Sequence, residues 1–307
     1  MLFKSQAYLS IPIMNRWLFI QKEYGQLGNR LHTHANALAW CIENNVNLVN
    51  LSFKKYSLFF ASSKTQTVET FIAGKSNLAN FLRFERPWTV FEKFTRSDKW
   101  LNRLTNIAVK EKDDSEFLSE TELSNFFESE AKALLVRAWD LRCPHSLEMQ
   151  QERVREILSP NDSAKDSANK TMVPLREKFD CVVGIHARRG DYEKYLGGIH
   201  FHSWDAYREW ILQTKNLLEI TGKGRVGFLL CSDEKPDYST FGDLPVSFGD
   251  SKSVASDLCS LSLCDYNIGP PSSFGTWLSW HGQVPRLQIS SDTIIESIDQ
   301  FSICSEC

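Results

Sequence analysis

The feature that most constrains the fold of this chain is an apolar run that ends in a dense polar cluster. Residues 181–185 read Cys-Val-Val-Gly-Ile, and residues 186–192 follow as His-Ala-Arg-Arg-Gly-Asp-Tyr. A continuous apolar run of this length, bounded by glycine and charge, is typical of a central parallel strand that is buried on both faces. Open α/β sheets bind their ligands beyond the carboxyl ends of such strands. The sequence therefore predicts a ligand site at residues 186–192.

Two adjacent arginines, Arg188 and Arg189, indicate the class of ligand that we expect there. Guanidinium groups are costly to desolvate unless an anion pairs with them, and their planar fork matches phosphate oxygens. We therefore predict a phosphate-bearing ligand. Two other interpretations of this stretch stay open: a solvated Arg-Gly-Asp turn without a ligand, and a structural pair of arginine and aspartate.

The rest of the second half alternates between strand and helix patterns. Short apolar runs lie between segments in which apolar residues recur at helical spacing. This alternation predicts a doubly wound α/β fold with a parallel sheet. The predicted strands are residues 181–185, 226–230, 245–248 and 266–268, and the predicted helices are residues 204–218, 254–264 and 276–281.

The first half contains a second unit of the same kind. Residues 17–20 and 46–53 are candidate strands, and apolar residues at helical spacing over residues 31–42 predict a helix between them. Gly25 and Gly28 lie in the turn that opens this helix, where backbone N–H groups can point at an anion. A turn that serves packing alone is equally consistent with the two glycines. Further along, the pattern predicts a strand at residues 133–138, a helix at residues 145–158, and insertions with short helices over residues 59–127.

Length and composition favour two domains. The chain has 307 residues, of which 42% are hydrophobic and 24% charged, so it carries enough apolar residues for two cores. Residues 159–171 contain no bulky apolar side chain and have the composition of a linker. We therefore place an N-terminal domain at residues 1–165 and a C-terminal domain at residues 172–307.

Charge and cysteine usage narrow the class of protein. The formal net charge of −3 argues against general nucleic-acid binding, which usually needs a basic protein. No segment is apolar for long enough to cross a membrane, and the first 20 residues contain no continuous apolar stretch typical of a signal peptide. The eight cysteines suggest no disulfide framework, which favours a reducing compartment. We expect a cytoplasmic protein, and leave peripheral association with a membrane open.

Four short motifs resemble those of bacterial α-1,2-fucosyltransferases, which are GT11-type glycosyltransferases. Residues 25–29, Gly-Gln-Leu-Gly-Asn, are similar to the G-x-L-G-N opening of that family, and residues 186–192 are similar to its H-x-R-R-G-D-Y motif. Residues 231–233, Cys-Ser-Asp, resemble its Ser-Asp at a strand end. The stretch over residues 257–274 resembles its run of D-L-x-x-M-S-x-C, N and S-x-F. The four motifs occur in the order of the family and cover under half of the chain.

The resemblance implies a GT-B fold, in which two Rossmann-like domains with parallel sheets face each other across a cleft. It implies that the second domain holds GDP-fucose, that Arg188 contacts the diphosphate, and that His186 and Asp257 lie near the ribose and the guanine. Asp191 is the nearest carboxylate of the motif and a candidate catalytic residue, either as a base or as a group that orients Arg188. On the helix before the Ser-Ser loop, Asp257 is expected one sheet-edge position from that loop. The other residues that the resemblance places at the donor are Ser272, Ser273 and Phe274 from the second domain and Gly28 and Asn29 from the first.

Three departures from the family pattern leave the acceptor, the linkage and the sugar open. Arg30 stands where the family usually has glutamine, residues 275–282 differ from its W-W-x-A-W-L ending, and residues 193–202 form an insert. No D-x-D cluster like the Mn²⁺ site of metal-dependent glycosyltransferases occurs in the sequence. We therefore expect no metal ion and no cofactor beyond the donor substrate.

The function that the sequence favours is that of an inverting glycosyltransferase which moves fucose from GDP-fucose to a sugar hydroxyl. Its expected partners are a GDP-sugar donor and a glycan acceptor, and not a nucleic acid. The alternatives are a GDP-sugar-binding protein without catalysis, a fucosyltransferase of another linkage, and an unrelated phosphate-binding α/β enzyme such as a kinase. The last is disfavoured because the chain lacks a G-x-x-x-x-G-K-[ST] loop.

Overall fold

The computed structural model describes residues 16–21, 23–60, 70–71, 107–112, 116–128, 132–249 and 253–305. Within these ranges the chain forms two five-stranded sheets and one two-stranded sheet. Helices join the parallel strands, so the predicted α/β class with parallel sheets is confirmed. No helix in these ranges is long and apolar enough to cross a membrane.

The first five-stranded sheet is built around a βαβ unit, as predicted. Strand β1 leads into helix α1, which returns the chain to a parallel strand, β2. The strand order is β3-β2-β1-β6-β4, and only the pair β2–β3 is antiparallel. The second strand ends at Asn50 rather than at the predicted residue 53, because a 3₁₀ turn begins there. The bounds are β1 Trp17–Ile20, α1 Leu27–Asn44, β2 Asn47–Asn50, the 3₁₀ turn Leu51–Phe53, α2 Lys54–Ser57, β3 Thr70–Phe71, β4 Ile107–Glu111, β5 Phe117–Ser119, α3 Glu120–Glu128, β6 Ala133–Arg137 and β7 Asp140–Arg142.

The second five-stranded sheet confirms the doubly wound pattern predicted for the second half. Its order is β10-β9-β8-β11-β12, and all four neighbouring pairs are parallel. Every residue of β8 is buried, as expected of a central strand. This strand includes two residues beyond the predicted end, so His186 lies inside it. The bounds are β8 Cys181–Ala187, α6 Trp204–Ile220, β9 Val226–Ser232, β10 Val246–Phe248, α7 Val254–Leu261, β11 Tyr266–Gly269, α8 Ser273–Gly282 and β12 Arg286–Gln288.

Two helices join the sheets, and one of them corrects a prediction. Helix α4 spans Pro144–Ile157, close to the predicted residues 145–158, and helix α5 spans Asp162–Lys178. The predicted linker at residues 159–171 is therefore wrong, since most of it lies in α5. The Asn161 side chain caps this helix by accepting a hydrogen bond from the backbone N–H of Ala164. Four buried side chains at helical spacing hold it against the protein: Ala164, Ala168, Met172 and Leu175.

The apolar core runs through both halves of the chain. One cluster of buried side chains includes Leu18 and Leu31 from the first half and Leu229 and Trp277 from the second.

The predicted boundary between residues 165 and 172 falls inside α5, and the division into two domains stays a prediction. The predicted insertions at residues 59–127 lie mostly outside the described residues. Their described parts include β3 and β4, which extend the first sheet, together with β5 and α3.

Candidate functional site

The strand order of the second sheet creates a crevice between β8 and β11. From β8 the chain moves outward through β9 to β10, and it then crosses back to place β11 on the other side of β8. In open α/β sheets, ligands bind beyond the carboxyl ends of the strands at such a switch point. The segment after β8 and the loop between β11 and α8 meet there. These are two of the four motif regions singled out in the sequence.

Arg188, the first residue after β8, links the two halves of the chain. Its guanidinium donates to the carboxylate of Asp191 at 2.8 Å, lies 3.2 Å from the carboxylate of Asp233, and donates to the side-chain oxygen of Gln26 at 3.3 Å. Gln26 is the N-cap residue of α1. The arginine–aspartate pair named as an alternative is therefore present. The same two carboxylates also fix the direction in which the guanidinium faces, which is what a phosphate site requires.

Arg189 has a different environment from Arg188. Its Nε lies 2.8 Å from the Glu234 carboxylate, and its guanidinium carbon lies 4.4 Å from the ring centroids of both Phe201 and Trp204. The group also donates to the backbone carbonyl of His202. The Arg189 guanidinium thus has its ion-pair partner and two aromatic contacts inside the protein. It therefore holds the insert after β8 and does not face the crevice.

His186 is buried beside the loop that follows β11. Its ring lies 4.6 Å from the ring of Phe274, tilted by 33°. Burial, together with the positive charges of Arg286 and Arg188, lowers the pKa of His186 to about 3. The imidazole is therefore neutral near pH 7. Its Nδ1 atom is buried and has no hydrogen-bond partner among the described residues.

The N-terminus of α8 lies at the end of β11, next to the crevice. The Ser272 hydroxyl accepts a hydrogen bond from the backbone N–H of Gly275 at 3.0 Å, so Ser272 caps the helix. The backbone carbonyl of Ser273 lies 2.7 Å from Nε2 of His32 on α1. Helix N-termini bind anions because their first N–H groups lack partners within the helix.

Gly28 allows the N-termini of α1 and α8 to touch. A Cβ atom at this position would lie 2.6 Å from Oγ of Ser273 and 2.8 Å from its carbonyl carbon. Gly25 has a φ of +58°, and a Cβ there would lie 2.8 Å from Cγ of Asn29. Both glycines are thus required by packing. Because two helix N-termini converge at this contact, a binding role for Gly28 and Asn29 is compatible with the same geometry.

Asp257 lies beside the strand that precedes β10 in the chain. It occupies the first turn of α7, and the thiol of Cys231 in β9 hydrogen-bonds to it. The Ser-Ser loop follows β11, and β8 lies between β9 and β11 in the sheet. The expected placement of Asp257 one sheet-edge position from that loop stays a prediction.

The structure assigns contacts at the site to two residues for which the sequence analysis proposed no role. Asp233 follows β9 directly and binds both Arg188 and the backbone N–H of Arg189, the latter at 2.8 Å. Its position at a strand end was a usable signal. Arg286 is buried in β12 and donates to the carbonyls of Gly269 and Pro270 at 3.1 and 2.5 Å, so it supports the loop before α8. Nothing in its sequence surroundings marked it.

Arg30, one of the departures from the family motif, has a structural role. Its guanidinium donates to the carbonyl of Ser52 at 2.8 Å and to that of Gly25 at 3.3 Å, and it pairs with Glu23 at 3.1 Å. It therefore fixes the turn that leads into α1. Among the residues that the structure describes, no three metal-binding side chains form a cluster that could hold a metal ion.

Comparison with known proteins finds glycosyltransferases among the proteins that are similar to this chain. No protein-family model matches the chain. The α-1,2-colitosyltransferase of Escherichia coli is 25% identical over 271 residues, which are 83% of this chain and 84% of that enzyme. A variant of Arabidopsis thaliana FUT1 in complex with GDP superimposes with a TM-score of 0.57 at 12% identity, covering 91% of this chain and 71% of that one. The α-1,6-fucosyltransferase NodZ, soaked with GDP-fucose, gives a TM-score of 0.53 at 16% identity and covers 93% and 97%.

The chain has the fold of these solved structures. At such identities the likeness concerns the arrangement of strands and helices and not the chemistry of single side chains. The sequence relative is a glycosyltransferase by its name, and the two structures were solved with GDP or GDP-fucose. The comparisons thus agree with the resemblance of the four motifs to those of fucosyltransferases. The roles of single residues rest on the geometry given above.

Proposed function

We propose that this protein is a GT-B-type glycosyltransferase that moves fucose from GDP-fucose to a hydroxyl group of a glycan acceptor with inversion at the anomeric carbon. One observation carries the proposal. Three groups converge at the switch point between β8 and β11: Arg188, the neutral imidazole of His186 and the N-terminus of α8. This is a set of donors for a diphosphate. The colitosyltransferase and the fucosyltransferase fold support the choice of donor class.

In the proposed complex the diphosphate contacts Arg188 and the first turn of α8 at Ser272 and Ser273. Phe274 lies against His186, and Gly28 and Asn29 approach from the first sheet. Asp257, beside β9, accepts hydrogen bonds from the guanine. A carboxylate can accept from N1–H and the exocyclic amine of guanine together, whereas adenine offers no such pair of donors.

The reaction joins the acceptor oxygen to the anomeric carbon and breaks the bond between that carbon and the β-phosphate oxygen. Negative charge grows on the departing GDP, where Arg188 and the N–H groups of α8 stabilise it. The acceptor hydroxyl must lose its proton. Asp191 is the candidate carboxylate, and because it pairs with Arg188 at 2.8 Å it also orients that guanidinium. The mechanism assigns no step to a metal ion.

A second donor is supported by the sequence relative. Colitose is fucose without its 3-hydroxyl group, so a site without a partner for that hydroxyl would accept both sugars. A site that hydrogen-bonds the 3-hydroxyl would instead reject the deoxy sugar by orders of magnitude. Linkage, acceptor and any peripheral association with a membrane remain predictions.

The test is turnover of the two nucleotide sugars with a panel of galactosides, in buffer with EDTA. We expect release of GDP and a glycan product whose mass increases by one deoxyhexose residue when fucose is transferred, or by one dideoxyhexose residue when colitose is transferred. Binding of GDP without turnover of either donor would favour the catalytically inactive alternative. Activity that disappears with EDTA and returns with Mn²⁺ would reject the metal-free mechanism, and failure to bind GDP would reject the proposal as a whole.

A further inference from the structure

A cavity of about 1020 Å³ lies between helices α1, α4 and α8, outside the crevice between β8 and β11. Each helix contributes a row of residues at helical spacing, so one face of each is turned inward. Among the lining residues are Asn36 of α1, Glu148 and Gln151 of α4, and Thr276 of α8. Helix faces that pack directly on one another are apolar. These three faces carry polar side chains beside apolar ones such as Leu147 and Trp280, so they frame a space suited to a ligand that has both polar and apolar surfaces.

The chemistry of the lining matches a saccharide. Amide and carboxylate side chains such as Gln151 and Glu148 offer both donors and acceptors, which a ring of hydroxyl groups can use in either direction. Trp139 also lines the cavity and is 40% exposed, an unusual state for so large an apolar ring. The C–H face of a sugar ring is apolar and flat enough to cover an indole. The exposed indole can thus cover the apolar C–H face of a sugar ring, while the amide and carboxylate groups bind its hydroxyl groups.

The charges that line the cavity balance one another. Arg142 lies 2.8 Å from Asp140, and Arg155 lies 3.0 Å from Glu152 and donates to the backbone carbonyl of Trp280 at 3.1 Å. Glu148 adds a further carboxylate to the lining, so the two arginines create no excess of positive charge there. The lining therefore favours a neutral ligand. The volume is at the upper end of the range of about 300–1,000 Å³ for ligand pockets, so it holds more than one sugar ring.

The cavity adjoins the proposed diphosphate site. Asn29 and Ser273 line it, and both belong to the helix N-termini that meet at Gly28. Gln26, which accepts a hydrogen bond from Arg188, is three residues before Asn29 and therefore a neighbour on the same surface of α1. A ligand in the cavity thus lies next to residues that we propose to hold the donor.

We propose that this cavity binds the acceptor, and that the acceptor is a neutral oligosaccharide whose sugar ring stacks on Trp139. The assignment rests on the proposed function, because it takes the phosphate site to hold the sugar donor. It makes Trp139 and Gln151 residues that determine acceptor affinity while contributing nothing to the binding of GDP.

The experiment compares Trp139→Ala and Gln151→Ala with Met149→Ala, a matched control that changes an exposed residue of α4 outside the cavity lining. Labelled neutral oligosaccharides (galactosides, glucosides and N-acetylhexosaminides) are titrated in the presence of saturating GDP, and GDP affinity is measured separately. For the saccharide that binds wild type best, we expect the Kd to rise at least 10-fold in both cavity variants and less than twofold in the control. The Kd for GDP should stay within twofold in all three variants.

Three results would overturn this inference while GDP binding is intact: unchanged saccharide affinity in both cavity variants, no binding of any neutral oligosaccharide by wild type, or a preference of wild type for acidic sugars. Loss of GDP binding in the wild-type protein would instead contradict the proposed function. Melting curves of the variants show whether Trp139→Ala is folded, and Gln151→Ala keeps the test decisive if it is not.

Discussion

Arg188 and Arg189 are adjacent in sequence, yet only Arg188 faces the crevice. We expect Arg188→Ala to lower turnover by roughly 10²-fold or more, because it removes a donor whose contact strengthens as charge grows on the leaving GDP. Arg188→Lys should recover little of this, since an ammonium group cannot replace the planar fork. The measurement is kcat for transfer from GDP-fucose. Turnover near that of wild type in a folded Arg188→Ala protein would remove Arg188 from the phosphate site.

Arg189→Ala is the matched comparison. The Arg189 side chain lies between two aromatic rings and pairs with Glu234, so its loss should reduce the free energy of unfolding by about 1–3 kcal/mol while GDP affinity changes little. Urea denaturation of the Arg188→Ala and Arg189→Ala proteins shows which of the two substitutions lowers the free energy of unfolding.

Asp257 provides a test of nucleotide specificity. We expect Asp257→Asn to weaken GDP binding by about 2 kcal/mol, because one of the two carboxylate acceptors becomes a donor that faces guanine donors. Discrimination between GDP and ADP should fall by the same amount. Calorimetric titration of both nucleotides decides, and a surface acid without a ligand would change either affinity by no more than about 0.5 kcal/mol.

For single residues, the sequence predicted which side chains lie close together but not the contacts that each of them makes. Residue type and position at strand ends predicted the cluster around Arg188, because parallel strands bring their carboxyl ends to one edge. The distinction between Arg188 and Arg189 depends on the rings of Phe201 and Trp204, which fold back from the insert. The role of Arg286 depends on the neighbouring strand β11, and no local pattern encodes that pairing.

Among the elements, the contact between α1 and α8 is the most sensitive to side-chain size. We expect Gly28→Ala to reduce the free energy of unfolding by about 1–3 kcal/mol, because the new methyl group meets backbone and side-chain atoms of Ser273. Separation of the two helices should also weaken GDP binding. Denaturant titration and calorimetry measure the two losses.

Gly242→Ala serves as the control for that substitution. Gly242 has a φ of −59°, and the nearest atom to an added Cβ lies 3.7 Å away. Alanine there should be neutral or stabilise the protein by up to about 1 kcal/mol. Equal stability of the Gly28→Ala and Gly242→Ala proteins would show that the helices adjust without cost and that the close contact does not matter.

Elements with strong periodicity were predicted well, and elements held by small residues were not. The buried run of β8 and the apolar spacing of α1 each contain enough large side chains to define their period. Within the predicted linker, α5 buries only Ala164 and Ala168 among polar residues, so this part of its sequence has the composition of a linker. Its capping residue Asn161 was the signal that could have revealed it.

For the whole molecule, two buried histidines predict a loss of stability in acid. Burial lowers the pKa values of His34 and His186 to about 3, whereas both residues titrate near 6.5 in the unfolded chain. Below pH 6.5 the unfolded state therefore binds protons that the folded state does not, and the free energy of unfolding falls as the pH decreases. Between pH 6.5 and pH 5 we expect a loss of about 2 kcal/mol for each histidine. Urea titrations at both pH values test this.

His34→Gln isolates the contribution of one of these histidines. The variant should be less stable than wild type at neutral pH, because His34 stacks on Phe53 and hydrogen-bonds to Asn50. Its stability should nevertheless depend less on pH. A pH dependence identical to that of wild type would mean that His34 does not stay neutral in the folded protein.

In the whole molecule, the crevice between β8 and β11 is the proposed location of the GDP moiety of the donor. Hydrogen–deuterium exchange with and without GDP tests this location. We expect slower exchange in peptides that cover residues 186–192 and 270–276, a smaller effect around residue 257, and no change along the exposed face of α6. Protection confined to other regions, or unchanged exchange at saturating GDP, would show that this crevice does not hold the donor nucleotide.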